Sequence, residues 1–230
     1  MKKILLSLFS FTICSLSFSQ SIAFADGNAT YGRENSFITI DADTSYDVEG
    51  SKYLTDSYQL ASISTMPDNL FKVKYNIFSG EMEVESQNNK AYALNKYRKD
   101  IVITFINTKT SFKLFDYIDD DGNKRTSYFS ILKSSGDNTI LKKQIIIFQE
   151  EKFSKTGYDE HKPPQFKRLK DRTYIKVKDN MAVLMPKNKS KFAALFPESK
   201  DDILKFIKKN KIKLSKDSDL VTLIEHINTL

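Results

Sequence analysis

A chain of 230 residues with a formal net charge of +7, 40% hydrophobic residues, 17 Phe, 11 Tyr and no Trp has enough apolar material for one substantial core. A single cysteine and two histidines exclude a disulfide framework and a Cys/His zinc site, so no metal or other cofactor is expected. Seven glycines without a clustered motif exclude a phosphate-cradling loop.

Lys2 and Lys3 precede an apolar run from Ile4 to about Phe18, and small residues ending in Ala23-Phe24-Ala25 stand ahead of Asp26. A basic start, an apolar stretch short for a span and an A-x-A site describe a secretory signal peptide over 1–25, with a cut near Gln20 and an uncleaved anchor as the alternatives. Cys14 lies inside the run without the small residues a lipoprotein site needs, so it leaves with the leader. The expectation is an exported, cysteine-free mature chain of about 205 residues, periplasmic or extracellular, with no transmembrane span.

Residues 26–50 read as an acidic, flexible arm contributing at most one strand, at Phe37–Ile40. From 51 to 186 the pattern is β. Tyr53–Thr65 is expected to form the first full strand with Tyr58, Leu60 and Ile63 buried, and Pro67-Asp68-Asn69 to turn the chain. The cleanest segment follows. Phe71, Val73, Tyr75 and Ile77 alternate with Lys72, Lys74 and Asn76; after Ser79-Gly80, Met82 and Val84 alternate with glutamates. This predicts a hairpin with one wet face, where lysines and glutamates pair across the strands. Ala91–Tyr97 is ambiguous. Asp100–Asn107, Ser111–Asp119, Arg125–Lys133 and Thr139–Gln149 continue a meander with turns at 108–110, 120–123 and 134–138. Residues 151–171, with Pro163-Pro164 and no strand periodicity, are expected to form an exposed loop before strands resume over Thr173–Lys178 and Met181–Met185.

Beyond Pro186 the period becomes helical. Phe192, Leu195 and Phe196 share a face, Ser199 with Asp202 resembles a capping box before Ile203, Leu204 and Ile207, and a last helix starting near Ser215 carries Leu220, Leu223, Ile224 and Ile227. The fold class expected is mainly β with an α appendage: a meandering antiparallel sheet, curled or open, with two or three short C-terminal helices over 187–230 packed on it. Charge is uneven. Residues 26–70 hold eight acids and two bases, whereas 187–216 hold ten lysines and three acids. The basic tail reads as a solvated lysine surface, a dock for the acidic arm, or a dock for an anionic partner through Lys205, Lys208, Lys209, Lys211 and Lys213.

The hairpin KVKYNIFSGEMEVE, the lysine-flanked strand before LKKQIIIF and the ending MPKNKSKFAALFPESKDDILKFIKKNKIKLSKDSDLVTLIEHIN resemble a family of secreted Bacteroidota proteins with no assigned activity. The resemblance implies export and a shared architecture, and carries over no catalytic residue.

Sites are sparsely marked. His226 stands among apolar residues of the last helix and His161 in the Asp159-Glu160-His161 cluster, so neither completes a hydrolase triad. Asp119-Asp120-Asp121-Gly122-Asn123 misses the EF-hand register and reads as a hairpin turn, with weak surface Ca²⁺ binding the lesser reading. Exposed tyrosines on a curved sheet suit a glycan or peptide, which singles out Tyr58, Tyr75, Tyr92 and Tyr128, with His161 as the polar candidate. Export and the lack of an aromatic-plus-Arg motif argue against nucleic acid. The functional expectation is a non-catalytic binding or structural component of the cell envelope, whose partner is another envelope protein or an anionic glycan or lipid surface. The alternative is a hydrolase or other enzyme with a carboxylate-based site near His161.

Overall fold

The computed structural model describes residues 36–40, 48–85, 91–153 and 161–230. The leader, its A-x-A site, Cys14 and most of the acidic arm lie outside the described residues.

The hairpin predicted over 70–86 is central. β3 (Met66–Asn76) runs antiparallel to β4 (Glu81–Val84), with Val73 opposite Val84 and Tyr75 opposite Met82. Alternation turns Phe71, Val73, Tyr75, Met82 and Val84 inward, each 2% exposed or less. β4 pairs with β5 (Ala91–Leu94), and β5 with the edge strand β1 (Phe37–Ile40). On its other side β3 pairs with β2 (Gln59–Ile63), and the sheet continues through β6 (Val102–Phe105), β7 (Ser111–Ile118), β8 (Lys124–Ser135) and β9 (Asn138–Lys143). β12 (Arg172–Val177) and β13 (Val183–Leu184) complete eleven antiparallel strands.

The sheet is open but strongly curled. On a flat sheet β7 and β8 would lie about 14 and 19 Å from β3, three and four strand spacings away. Yet the Tyr75 ring is 5.4 Å from Phe112 on β7 and 5.9 Å from Tyr128 on β8. Curling therefore lets one sheet face bury itself. Tyr128 and Phe129, adjacent on β8, point to opposite faces. Tyr128 enters the curl, and Phe129 joins a second aromatic cluster with Tyr117 and Tyr174 at 5.3 and 5.2 Å.

Several boundaries differ from the sequence reading. The turn before β3 is Ser64-Thr65, and Pro67-Asp68-Asn69 lie within β3 beside a bulge at Ser62/Ile63, where a missing N–H is tolerated. That register puts Ala61 and Ile63 inside at 0% exposure and Leu60 outside at 46%, reversing the face expected for Leu60. Thr139–Gln149 is not one strand. The main sheet loses the chain at Gln144, and β10 (Ile146–Gln149) pairs with β11 (Gln165–Arg168) in a separate ribbon. The expected loop over 151–171 thus contains a strand whose partner is distant in sequence. Residues 48–54 strap the ribbon to β3: Phe166 N–H donates to the Glu49 carbonyl at 2.8 Å, and Leu54 N–H to the Tyr75 carbonyl at 2.9 Å. Gly50 makes this possible, since at φ 78° a Cβ would stand 2.3 Å from the Phe166 carbonyl oxygen.

The tail forms α1 (Lys189–Ala193), a 3-10 turn at Pro197–Ser199, α2 (Lys200–Lys209) and α3 (Asp217–Ile227). Asn188 caps α1, accepting from the Ser190 and Lys191 N–H groups at 2.8 and 3.1 Å. The expected capping box is absent. Ser199 closes the 3-10 turn without a side-chain cap bond, and Asp202 pairs with Lys205 at 3.0 Å. The three helices bury Phe192, Ile203, Ile207, Leu220, Leu223 and Ile224 in one cluster with Ile140, Ile175 and Val177 of the sheet, so the tail packs over β8 and β9 and shares this apolar cluster with β12.

Candidate anionic-surface docking site

α2 ends in a way that shapes a concavity in the tail. Lys211 takes a left-handed φ of 53°. Its N–H reaches the Lys208 carbonyl at 3.3 Å, and the Ile212 N–H reaches the Ile207 carbonyl at 3.0 Å. These paired bonds are a Schellman closure, with Ile212 folding back over Ile207. The closure reverses the chain beside α1. Lys213 is then fixed where its backbone N–H donates to the Asp219 carboxylate at 3.0 Å.

The result is an open groove of about 640 Å³ with Leu204, Ile207 and Ile212 as floor and Lys189, Lys208, Lys211 and Lys213 as rim. Among the described residues none of the four rim ammonium groups has a carboxylate within ion-pair distance. Ile207 and Ile212 are 1% and 4% exposed, so Leu204, half-buried, is the floor residue whose apolar surface stays open. The four lysines can add attraction for an anion to this partly apolar lining.

Of the five tail lysines singled out from sequence, the groove gathers Lys208, Lys211 and Lys213. Lys205 is held by Asp202, and Lys209 lies off the lining. Lys189 was missed, because it comes from a separate helix and no periodicity within α2 points to it.

The tyrosine expectation fails for its two central members. Tyr75 and Tyr128 are 2% and 1% exposed, and burial pushes both phenols well above the usual tyrosine range. They are core residues, closed to any ligand. Tyr58 is half-buried with the Lys74 ammonium 4.9 Å from its ring, and Tyr92 is half-buried opposite Val84, so the four tyrosines form no common surface. His161 pairs with Glu151 at 2.7 Å and its ring lies 5.6 Å from Phe153. His226 stacks on Phe206 at 3.7 Å. Asp119 and Asp120 are engaged: Asp119 accepts from the Asp121 and Asn123 N–H groups at 3.0 and 2.8 Å, and Asp120 from Arg172. Among the described residues no three His, Cys, Asp or Glu side chains gather as a metal site, and no helix is long and apolar enough to cross a membrane.

One further polar cluster was invisible in the sequence. Lys143, half-buried, donates to the Tyr117 hydroxyl and lies 4.2 Å from that ring. Burial, then the charge of Arg172, pulls its pKa down, while burial raises Tyr117 and Tyr174. Arg125 and Arg172 beside it are both neutralised by aspartates. No family model, curated protein or solved structure matches this chain.

Proposed function

We propose that this protein is an exported, non-catalytic component of the cell envelope, periplasmic or extracellular, that docks on an anionic surface through the groove between α1 and α2. The observation that carries the reading is the rim. Four lysines line the groove, and among the described residues none of their ammonium groups has a carboxylate within ion-pair distance. Clustered phosphates of a lipid surface suit that arrangement. Export rests on the leader-like start of the sequence and the family resemblance.

The backbone at Lys211 supports this. A left-handed position at a helix end favours glycine, and lysine there costs about 1 kcal/mol. Lys109 and Lys178 take the same conformation in hairpin turns, so the strain alone marks nothing; combined with the groove, it is a cost carried where a charge is useful. The enzyme alternative gains nothing comparable, since His161 faces a single described carboxylate on an exposed surface.

The test is binding of the full-length mature protein to phosphatidylcholine vesicles with and without phosphatidylglycerol. Anionic vesicles should retain it, and retention should fall steeply from low to physiological salt. Lys208→Gln and Lys213→Gln should each weaken binding about fivefold, since a lysine near an anionic membrane is worth about 1 kcal/mol. Lys211→Gly is the decisive variant, expected to weaken binding while raising the melting temperature. Unchanged, salt-sensitive retention of all three variants would refute the groove as the docking site.

A further inference from the structure

The β10–β11 ribbon leaves the main sheet and exposes apolar side chains that a monomer would be expected to bury. Its inner side is anchored, with Ile146 8% exposed and Phe166 packed against the curl. Both faces nonetheless stay partly open. Phe148, directly opposite Phe166 and so on the anchored face, is 41% exposed, Ile147 on the other face is 37%, and Phe153, past the end of the strand, is 71%. Phe78, 51% exposed at the β3–β4 turn, meets the ribbon with its ring 5.0 Å from Phe166 and 6.4 Å from Phe148. Contiguous rings at the surface mark an interaction site.

The charges beside the rings say what kind. Lys167 stands directly opposite Ile147. Lys152 and Lys162 stand directly opposite each other across an antiparallel bridge, exchanging backbone N–H bonds at 2.9 and 3.0 Å. Like charges facing each other across a ladder repel, and among the described residues neither ammonium has a carboxylate partner. Glu151 is taken by His161. An anion between Lys152 and Lys162 removes the repulsion.

We propose that this ribbon is a bilayer anchor: Phe148 and Phe78, with Phe153 past the strand end, enter the headgroup–acyl boundary of an anionic membrane while Lys152 and Lys162 stay among its phosphates. Phenylalanine beside a long cationic stem suits that boundary, because the ring is dehydrated while the ammonium remains in the polar layer. The apolar side chains come from separate segments, which a fluid surface accepts without matching their shape. This anchor is independent of the groove between α1 and α2 and differs from it in kind. The groove's hold is electrostatic and lost in salt; the ribbon's apolar part persists.

The chain has no tryptophan, so Phe148→Trp and Phe153→Trp each create a lone reporter. On phosphatidylcholine–phosphatidylglycerol vesicles both emissions should shift to the blue and be quenched by brominated acyl chains. In high salt the remaining binding should drop about tenfold or more in the double variant F148S/F153S, as expected for losing two dehydrated rings. It should be unaffected by the groove substitutions. Matching urea midpoints of wild type and F148S/F153S establish that folding is intact. Two results overturn the proposal: emission unmoved by vesicles, or a blue shift without lipid that grows with protein concentration alongside dimer in sedimentation, which would make a second copy the occupant. Loss of salt-sensitive binding in the groove variants with no reporter quenching would sink the anchor and leave the groove reading standing.

Discussion

Asp217, in the first turn of α3, lies 2.6 Å from Lys142 on β9. A second tie, Lys133 to Glu225 at 2.5 Å, holds the later part of the same helix to β8. These pairs orient α3 but do not hold it. Both are partly solvated and worth at most about 1 kcal/mol each, whereas each fully buried Leu or Ile contributes about 1.5 to 3 kcal/mol. Deleting residues 187–230 should therefore expose Ile140, Ile175 and Val177 and make the remainder aggregate, while Asp217→Ala should leave the melting temperature within a few degrees. Size-exclusion chromatography and thermal melting check both. A monomeric truncation with an unchanged transition would contradict the covering role of the helices.

The hairpin supplies a graded test. Val73→Asp would bury a carboxylate at a fully enclosed position and cost several kcal/mol, enough to unfold the protein. Lys72 pairs with Glu85 at 2.7 Å with both side chains well exposed, so Lys72→Ala should cost less than about 1 kcal/mol. Lys74 is different. Its ammonium lies 3.7 Å from the Tyr53 ring, and it stands opposite Glu83, which is 9% exposed and accepts from Asn76 at 3.0 Å. Lys74→Asp should then cost more than about 1 kcal/mol, because it sets a second carboxylate against a buried one. Urea midpoints in the order Lys72→Ala, Lys74→Asp, Val73→Asp, from most to least stable, are expected.

Acid should weaken the fold between about pH 4 and pH 2. The Arg98 hydrogen bond holds Asp100 down to about 2. Lys99 and Thr126 lower Asp116, and backbone N–H groups led by that of Asn123 lower Asp119. A carboxyl whose folded value is depressed contributes stability that is present above its unfolded value, near 4, and lost as pH falls through the folded one. At the alkaline end the sign follows Tyr75 and Tyr128. Burial raises their folded values, so their contribution is full below the unfolded value near 10 and lost above it. Melting temperatures across pH should show a plateau between these limits. Asp119→Asn should make the acid limb shallower; an unaltered limb would show that the turn carboxylate does not set it.

Strands and helices marked by alternation or helical spacing are legible in the amino-acid sequence itself. The β3–β4 hairpin, the meander from β6 to β9, and the buried face of α3 at Leu220, Leu223, Ile224 and Ile227 follow from local pattern, because side-chain direction is fixed by backbone period wherever one face is buried. Tertiary structure alone decided the rest. Leu60 faces outward because the β2–β3 turn falls at Ser64-Thr65, three residues before the segment with the stronger turn composition, and a shift of register exchanges faces. Tyr75 and Tyr128 became core because the sheet curls, and curvature is a sum over many strand pairs that no single strand encodes. β11 pairs with β10 across an insertion, and Lys189 joins Lys208, Lys211 and Lys213 only after a Schellman closure folds the chain back beside α1. Both are contacts between segments distant in sequence, whose partners are chosen by the fold as a whole and leave no mark in the local period of either segment.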